Sequence, residues 1–150
     1  IILDAFSRKV IGWAISDRLT DTLVLSALTM AKHQRTISAD LIHHSDQGSQ
    51  YASTAFQASL KEHDIIQSMS GRGNCYDNAL AESFFATLKT EEVDDTPYTT
   101  RQLAKTSIFK YIETFYNPRR RHSSLDYLSP NDFEQLYFNK TSEVHFKQVA

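Results

Sequence analysis

The sequence predicts an α/β fold, a mixed sheet with helices on both faces. Short runs rich in β-branched and aromatic residues alternate with longer runs whose apolar positions recur at helical spacing. The first two short runs lie close enough together to form a hairpin, and glycine and polar residues mark the stops between later elements. With 150 residues and 41% hydrophobic content, the chain suffices for one compact domain with an appendage and is too short for two full domains.

Ile1 to Phe6 and Val10 to Ser16 read as two antiparallel strands joined through Ser7-Arg8-Lys9. Thr20 or Asp21 then caps a helix to about Gln34, with Leu23, Ala27, Met30 and Ala31 on its apolar face. Leu41 to His44 reads as a buried strand, stopped by Ser45-Asp46-Gln47-Gly48. Ser53 opens a helix through about His63, and Ile65 to Met69 forms another short strand. After a glycine-rich loop, Gly71 to Tyr76, a helix from Asp77 to about Glu91 carries Leu80, Phe84 and Leu88 at i, i+4 and i+8. Glu82 falls off that stripe. A second long helix covers Thr100 to Tyr116 and stops before Pro118, and a short one runs from Pro130 to about Tyr137. These divisions give a core over 1–96, a helical extension over 97–138 and a tail over 139–150.

Sixteen Lys and Arg against eighteen Asp and Glu leave a net charge of -2, which argues against a uniformly basic wrapper of nucleic acid. The charge is unevenly spread. From Arg101 to His122 six cations face one acid, a local +5 that leaves -7 on the rest. Cys75 is the single cysteine, which excludes an intramolecular disulfide and a multi-cysteine zinc site and suits a reducing cytoplasm. No apolar stretch approaches the ~20 residues needed to cross a bilayer, so no membrane partner is expected. The chain opens without Met inside the β-like run Ile1-Ile2-Leu3, as a fragment of a longer protein would.

Asp46 stands at the carboxyl end of a predicted strand, where open α/β sheets place their ligands, and Glu82 stands in an early turn of a helix. An aspartate and a glutamate held by rigid elements supply hard oxygen ligands for Mg²⁺ or Mn²⁺. Two such ions about 4 Å apart serve in-line displacement at phosphorus. Taken singly, Asp46 reads as a turn former and Glu82 as part of a solvated helix face. His43 and His44 point to opposite faces of their strand, so at most one faces Asp46, and neither is taken as a ligand. Cys75 lacks an evident base and reads as an inert thiol.

The segments His44-Ser45-Asp46-Gln47-Gly48-Ser49-Gln50-Tyr51 and Gly73-Asn74-Cys75-Tyr76-Asp77-Asn78-Ala79-Leu80-Ala81-Glu82-Ser83-Phe84-Phe85 change that balance. They closely resemble the second and third acidic motifs of bacterial insertion-sequence transposases with a retroviral-integrase-type core. In that family thirty-five residues separate the second aspartate from the glutamate, and the same number lies between Asp46 and Glu82. Asp4-Ala5-Phe6-Ser7-Arg8 with Trp13, and Tyr116 to Leu125 with Leu128-Ser129-Pro130, extend the resemblance over nearly residues 1 to 138.

The resemblance implies a ribonuclease-H-like core, metal-dependent DNA cleavage and strand transfer, two Mg²⁺ or Mn²⁺ ions, and assembly of several copies on DNA. It implies metal-holding roles for Asp46 and Glu82. It also matches Lys89, seven residues after the glutamate and two helical turns on, to a phosphate-holding lysine. Arg119, Arg120, Arg121 and His122 concentrate charge for DNA phosphates. The family's first catalytic aspartate lies on a central strand upstream of the part that resembles Ile1 to Trp13, so that strand is expected to be missing here. Asp4 reads as hairpin polarity rather than as its substitute. An inactive remnant that still binds DNA or other transposase subunits is the alternative. A glycosidase pair, with carboxylates about 5 to 9 Å apart, finds no sugar-binding support in the sequence.

Overall fold

In the computed structural model, residues 1–71, 79–94 and 97–147 are described, with side chains to Asn139. They form two compact units. The first comprises Ile1–Leu3 and Val10–Glu91, the second Asp4–Lys9 and the chain from Glu92.

In the first unit, strands β1 (Ile2–Leu3) and β2 (Val10–Gly12) pair antiparallel, with a register irregularity between Ile2 and Leu3. The strands are shorter than the sequence predicts. Helix α1 (Asp21–Gln34) follows, with Thr20 at its N-cap. Its buried residues are Val24, Ala27, Leu28 and Ala31, so the apolar face is centred on Val24 and Leu28 rather than on Leu23 and Met30. Gly12 explains this choice. A Cβ there would run into the Ala27 carbonyl oxygen and lie 2.9 Å from the Ala31 Cβ, so strand and helix meet at van der Waals contact through three small residues.

Strand β3 (Ile42–Ser45), helix α2 (Thr54–Lys61) and strand β4 (Ile66–Met69) form a parallel strand–helix–strand unit in which Ile42 pairs with Ile66 and Ser45 with Met69. Ser53 caps α2 by accepting the Phe56 amide at 3.3 Å. Phe56, Leu60 and Ile65 join Val24 and Leu28 in the core of this unit. Burying these side chains is worth about 1.5–3 kcal/mol each. The expectation of a buried third strand is overturned, because Leu41 is 40% and Ile42 61% exposed. The expected single mixed sheet is also absent among the described residues, which hold an antiparallel pair and a separate parallel pair. One fact accounts for both: among the described residues no further strand hydrogen-bonds to the pair β3–β4, so β3 lacks the flanking neighbour that a central position would give it.

Helix α3 (Ala79–Leu88) buries Phe84 and Leu88, and from Lys89 to Val93 the chain winds as a wider π-helical turn. The predicted glycine-rich loop from Arg72 on, with Cys75, Tyr76 and Asp77, lies outside the described residues.

In the second unit, helix α4 (Arg101–Lys110), capped by Thr100, passes into a π-helical segment, Tyr111–Tyr116, that buries Tyr111, Ile112 and Tyr116. The Asn117 amide donates to the Ile112 carbonyl at 3.0 Å, the i to i+5 bond of such a segment. Helix α5 runs from Pro130 to Lys147, ten residues beyond the predicted Tyr137 and into the expected tail. Its start is secured by Ser129, whose hydroxyl accepts the Asp132 amide at 3.2 Å and donates to the Asp132 carboxylate at 2.7 Å. The Asp4–Lys9 bend packs against this helix. Ser7, fully buried, donates to Glu134 at 2.7 Å, Lys9 pairs with the same carboxylate at 3.2 Å, and Phe6 meets Phe133 and Tyr137 with ring centroids 5.0 and 4.8 Å apart. Among the described residues no helix is long and apolar enough to cross a membrane.

Candidate active site

Asp46 is the first residue past β3, and its carboxylate is exposed. The strand stops there because the aspartate closes a turn on itself: Oδ1 accepts the Gly48 amide at 2.9 Å, and the Gly48 carbonyl accepts the Tyr51 amide at 3.0 Å. The turn is tied to the end of β4. Ser70 donates its amide to the Ser45 carbonyl at 2.9 Å, and Gln47 Nε2 donates to the Ser70 carbonyl at 3.0 Å. Tyr51 stands beside this turn, its carbonyl accepting Gln67 Nε2 at 2.8 Å. Burial, and then the Asp46 charge, push its phenol above the ordinary value, so Tyr51 stays neutral at pH 7.

The two histidines separate as strand alternation requires. His43 packs edge-on against Phe56, with ring centroids 5.3 Å apart, and burial holds its imidazole below the ordinary value. His44 lies on the opposite face with Nδ1 2.9 Å from the Ser68 hydroxyl and Nε2 3.1 Å from that of Ser70. Both of its nitrogens are therefore engaged by serines.

Glu82 lies in the first turn of α3 and is exposed. A carboxylate there faces the positive end of the helix dipole. Lys89 is also exposed and follows Glu82 by seven residues, so the two stand about 20° apart around the axis and two turns apart along it. Asp46 and Glu82 thus belong to the same unit, and neither is in an ion pair among the described residues. No group of three or more His, Cys, Asp or Glu side chains able to hold a metal occurs among those residues.

In the second unit, Asp4 is a turn former, its Oδ1 accepting the amides of Phe6 and Ser7 at 2.9 and 3.1 Å. Arg119 and Arg121 are exposed. Arg120 stacks its guanidinium 5.8 Å from the Tyr116 ring centroid, while the His122 ring meets Tyr116 edge-on at 5.1 Å. The His122 amide also donates to the Leu128 carbonyl at 3.1 Å, which closes the 122–128 loop. Sequence reasoning missed Ser70, Gln47 and Tyr51 as supports of Asp46. Ser70 shows itself only once β3 and β4 are paired in register, whereas Gln47 and Tyr51 lie within the motif around Asp46.

A family model described as an integrase core domain matches residues 1–75, and a second of the same description matches residues 63–130. The chain is 49% identical over 133 residues to the transposase for insertion sequence element IS904 of Lactococcus lactis subsp. lactis strain IL1403, covering 89% of this chain and 53% of that protein. It is 45% identical over 134 residues to transposase InsF for insertion sequence IS3A of Escherichia coli K12, covering 89% of this chain and 46% of the relative. The chain therefore spans about half the length of these relatives.

Proposed function

The chain belongs to the integrase core domain family, and from that premise we propose that it is the catalytic part of an insertion-sequence transposase that cleaves and rejoins DNA strands with divalent metal ions. The observation that carries this reading is the placement of Asp46 just past the end of β3 and of Glu82 in the first turn of α3, both exposed.

The donor chemistry fits such ions. Asp46 and Glu82 offer hard oxygens free of ion pairs among the described residues, which suits Mg²⁺ or Mn²⁺, ions that keep several waters. Asp46 engages Oδ1 with the Gly48 amide, a bond that orients the carboxylate while leaving acceptor capacity for a cation. When bound, two such ions activate an attacking hydroxyl and stabilise charge at phosphorus. What the chain adds is placement. Lys89 holds a phosphate on the face it shares with Glu82, and Arg119, Arg120, Arg121 and His122 contact the DNA backbone, the two exposed arginines most strongly. The 3′-hydroxyl freed by cleavage then attacks a second phosphodiester, in an assembly of several copies on DNA.

The ribonuclease-H-like fold with a central strand belongs to the same proposal. A strand between the pairs β1–β2 and β3–β4 would join them into one mixed sheet and cover Ile42. In the family pattern that strand bears the first acidic residue, upstream of the part matching Ile1 to Trp13. A second reading, a remnant that binds DNA or transposase subunits without cutting, is favoured by the lack of a three-group ligand cluster among the described residues. Nicking of supercoiled DNA in Mn²⁺ by the chain and by Glu82→Gln separates the two. Nicking by the parent alone supports the enzyme, and DNA binding by both without nicking supports the remnant.

A further inference from the structure

We infer that Ser70 is the positioning residue for Asp46, the hub that fixes the turn bearing that carboxylate; the inference rests on the reading of Asp46 as a metal-holding group. Asp46 is exposed and lies beyond the last paired residue of its strand. Its carboxylate has one hydrogen bond among the described residues, from an amide of its own turn. Such a turn holds the carboxylate relative to itself but not relative to the sheet. Ser70, 6% exposed, supplies the missing constraint.

All three polar groups of Ser70 are used. Its amide donates to the Ser45 carbonyl at 2.9 Å, extending the parallel ladder one step past β4, and its carbonyl accepts from Gln47 at 3.0 Å. Its hydroxyl lies 3.3 Å from the Ser45 carbonyl and 3.1 Å from His44 Nε2. One buried residue thus grips positions 44, 45 and 47, on both sides of Asp46. The Ser45 carbonyl already accepts the Ser70 amide, so the hydroxyl proton can serve either that carbonyl or His44 Nε2, and both contacts hold the hydroxyl in place. Nδ1 of the same ring lies 2.9 Å from the Ser68 hydroxyl, which continues the chain of bonds along β4. Ser70 also stands one residue past β4, where the chain leaves toward the helix that bears Glu82. A site that must hold its ligands to about 0.5 Å needs such a support.

The test uses the full chain, ¹⁵N-labelled and titrated with Mn²⁺, reading paramagnetic broadening of the Gly48 amide together with its hydrogen exchange and the melting midpoint. Ser70→Ala and Gln47→Ala should each raise the Mn²⁺ concentration for half-broadening about three- to tenfold, the weight of one or two hydrogen bonds. Gly48 exchange should quicken in both. Gln47 is exposed, so its variant remains folded even if Ser70→Ala does not. A lower melting midpoint with unchanged Mn²⁺ dependence, measured well below melting, would mean a merely structural role and overturn the inference. Asp46→Asn separates the two layers. If it broadens Gly48 as the parent does, the metal reading fails, and Gly48 exchange alone decides: faster in Ser70→Ala supports positioning, and unchanged exchange refutes it.

Discussion

Replacing Gly12 by alanine probes the contact on which the first unit is built. The added Cβ would meet the Ala27 carbonyl oxygen and stand 2.9 Å from the Ala31 Cβ and 3.0 Å from the Ala31 nitrogen. Two of these three atoms are backbone of a fourteen-residue helix, so relief requires α1 as a whole to shift rather than a side chain to turn. Overpacking of this kind costs about 1–3 kcal/mol. Gly12 is not in the left-handed region, so alanine also gains about 0.4–1 kcal/mol by restricting the unfolded chain. The net loss is then about 1–2 kcal/mol, which lowers the melting midpoint by about 2–8 °C for a chain of this length. Trp13, the single tryptophan, adjoins the substituted residue and reports urea unfolding by fluorescence. With a slope of about 2 kcal/mol/M the urea midpoint should fall by about 0.5–1 M. An unchanged or raised midpoint would refute the close seating of β2 on α1.

Three further outcomes follow from the same structure. His43 has a folded-state value below its unfolded one, so the native state binds fewer protons; stability should hold above about pH 6.5 and fall as pH drops below it. His43→Leu should flatten that limb in melting curves recorded from pH 8 to pH 5. Ser129→Ala removes the cap of α5 and should cost about 1 kcal/mol in urea unfolding, with substitution of exposed Ser124 as the neutral comparison. The double replacement of Arg119 and Arg121 by alanine should weaken DNA binding equally for all sequences and reduce the slope of log affinity against log salt by about 2, read by fluorescence anisotropy.

What the sequence revealed and what it hid have physical causes. The end of β3 at Asp46 was legible because Asp-Gln-Gly encodes a turn locally, and Ser53 and Thr100 announced their helices in the same way. The face of α1 was only half legible. Leu23, Val24, Leu25, Ala27, Leu28, Met30 and Ala31 make a broad apolar half, and only the approach of Gly12 to Ala27 and Ala31 selects its centre. The apolar run at Leu41 and Ile42 signals burial, yet burial needs a covering neighbour, which no local pattern provides. The π-helical winding at Lys89 and Tyr111 leaves no mark in spacing over so few residues. The full length of α5 was hidden for a related reason, since its distal half, Asn139 to Lys147, carries few apolar residues and no regular stripe. The supports of Asp46 depend on pairing across some twenty-five positions, so the carboxylate could be found from its motif while Ser70 could not.

The central proposal is that Asp46 and Glu82 line one divalent-metal site, and iron-directed cleavage of the chain itself tests it most directly. Fe²⁺ substituted for Mg²⁺, with ascorbate and peroxide, generates radicals that cut the backbone next to the bound ion. The account predicts two cuts, one near Asp46 and one near Glu82, both suppressed by excess Mg²⁺ and both lost in either Asp46→Asn or Glu82→Gln. Cuts at one carboxylate that survive substitution of the other would contradict it.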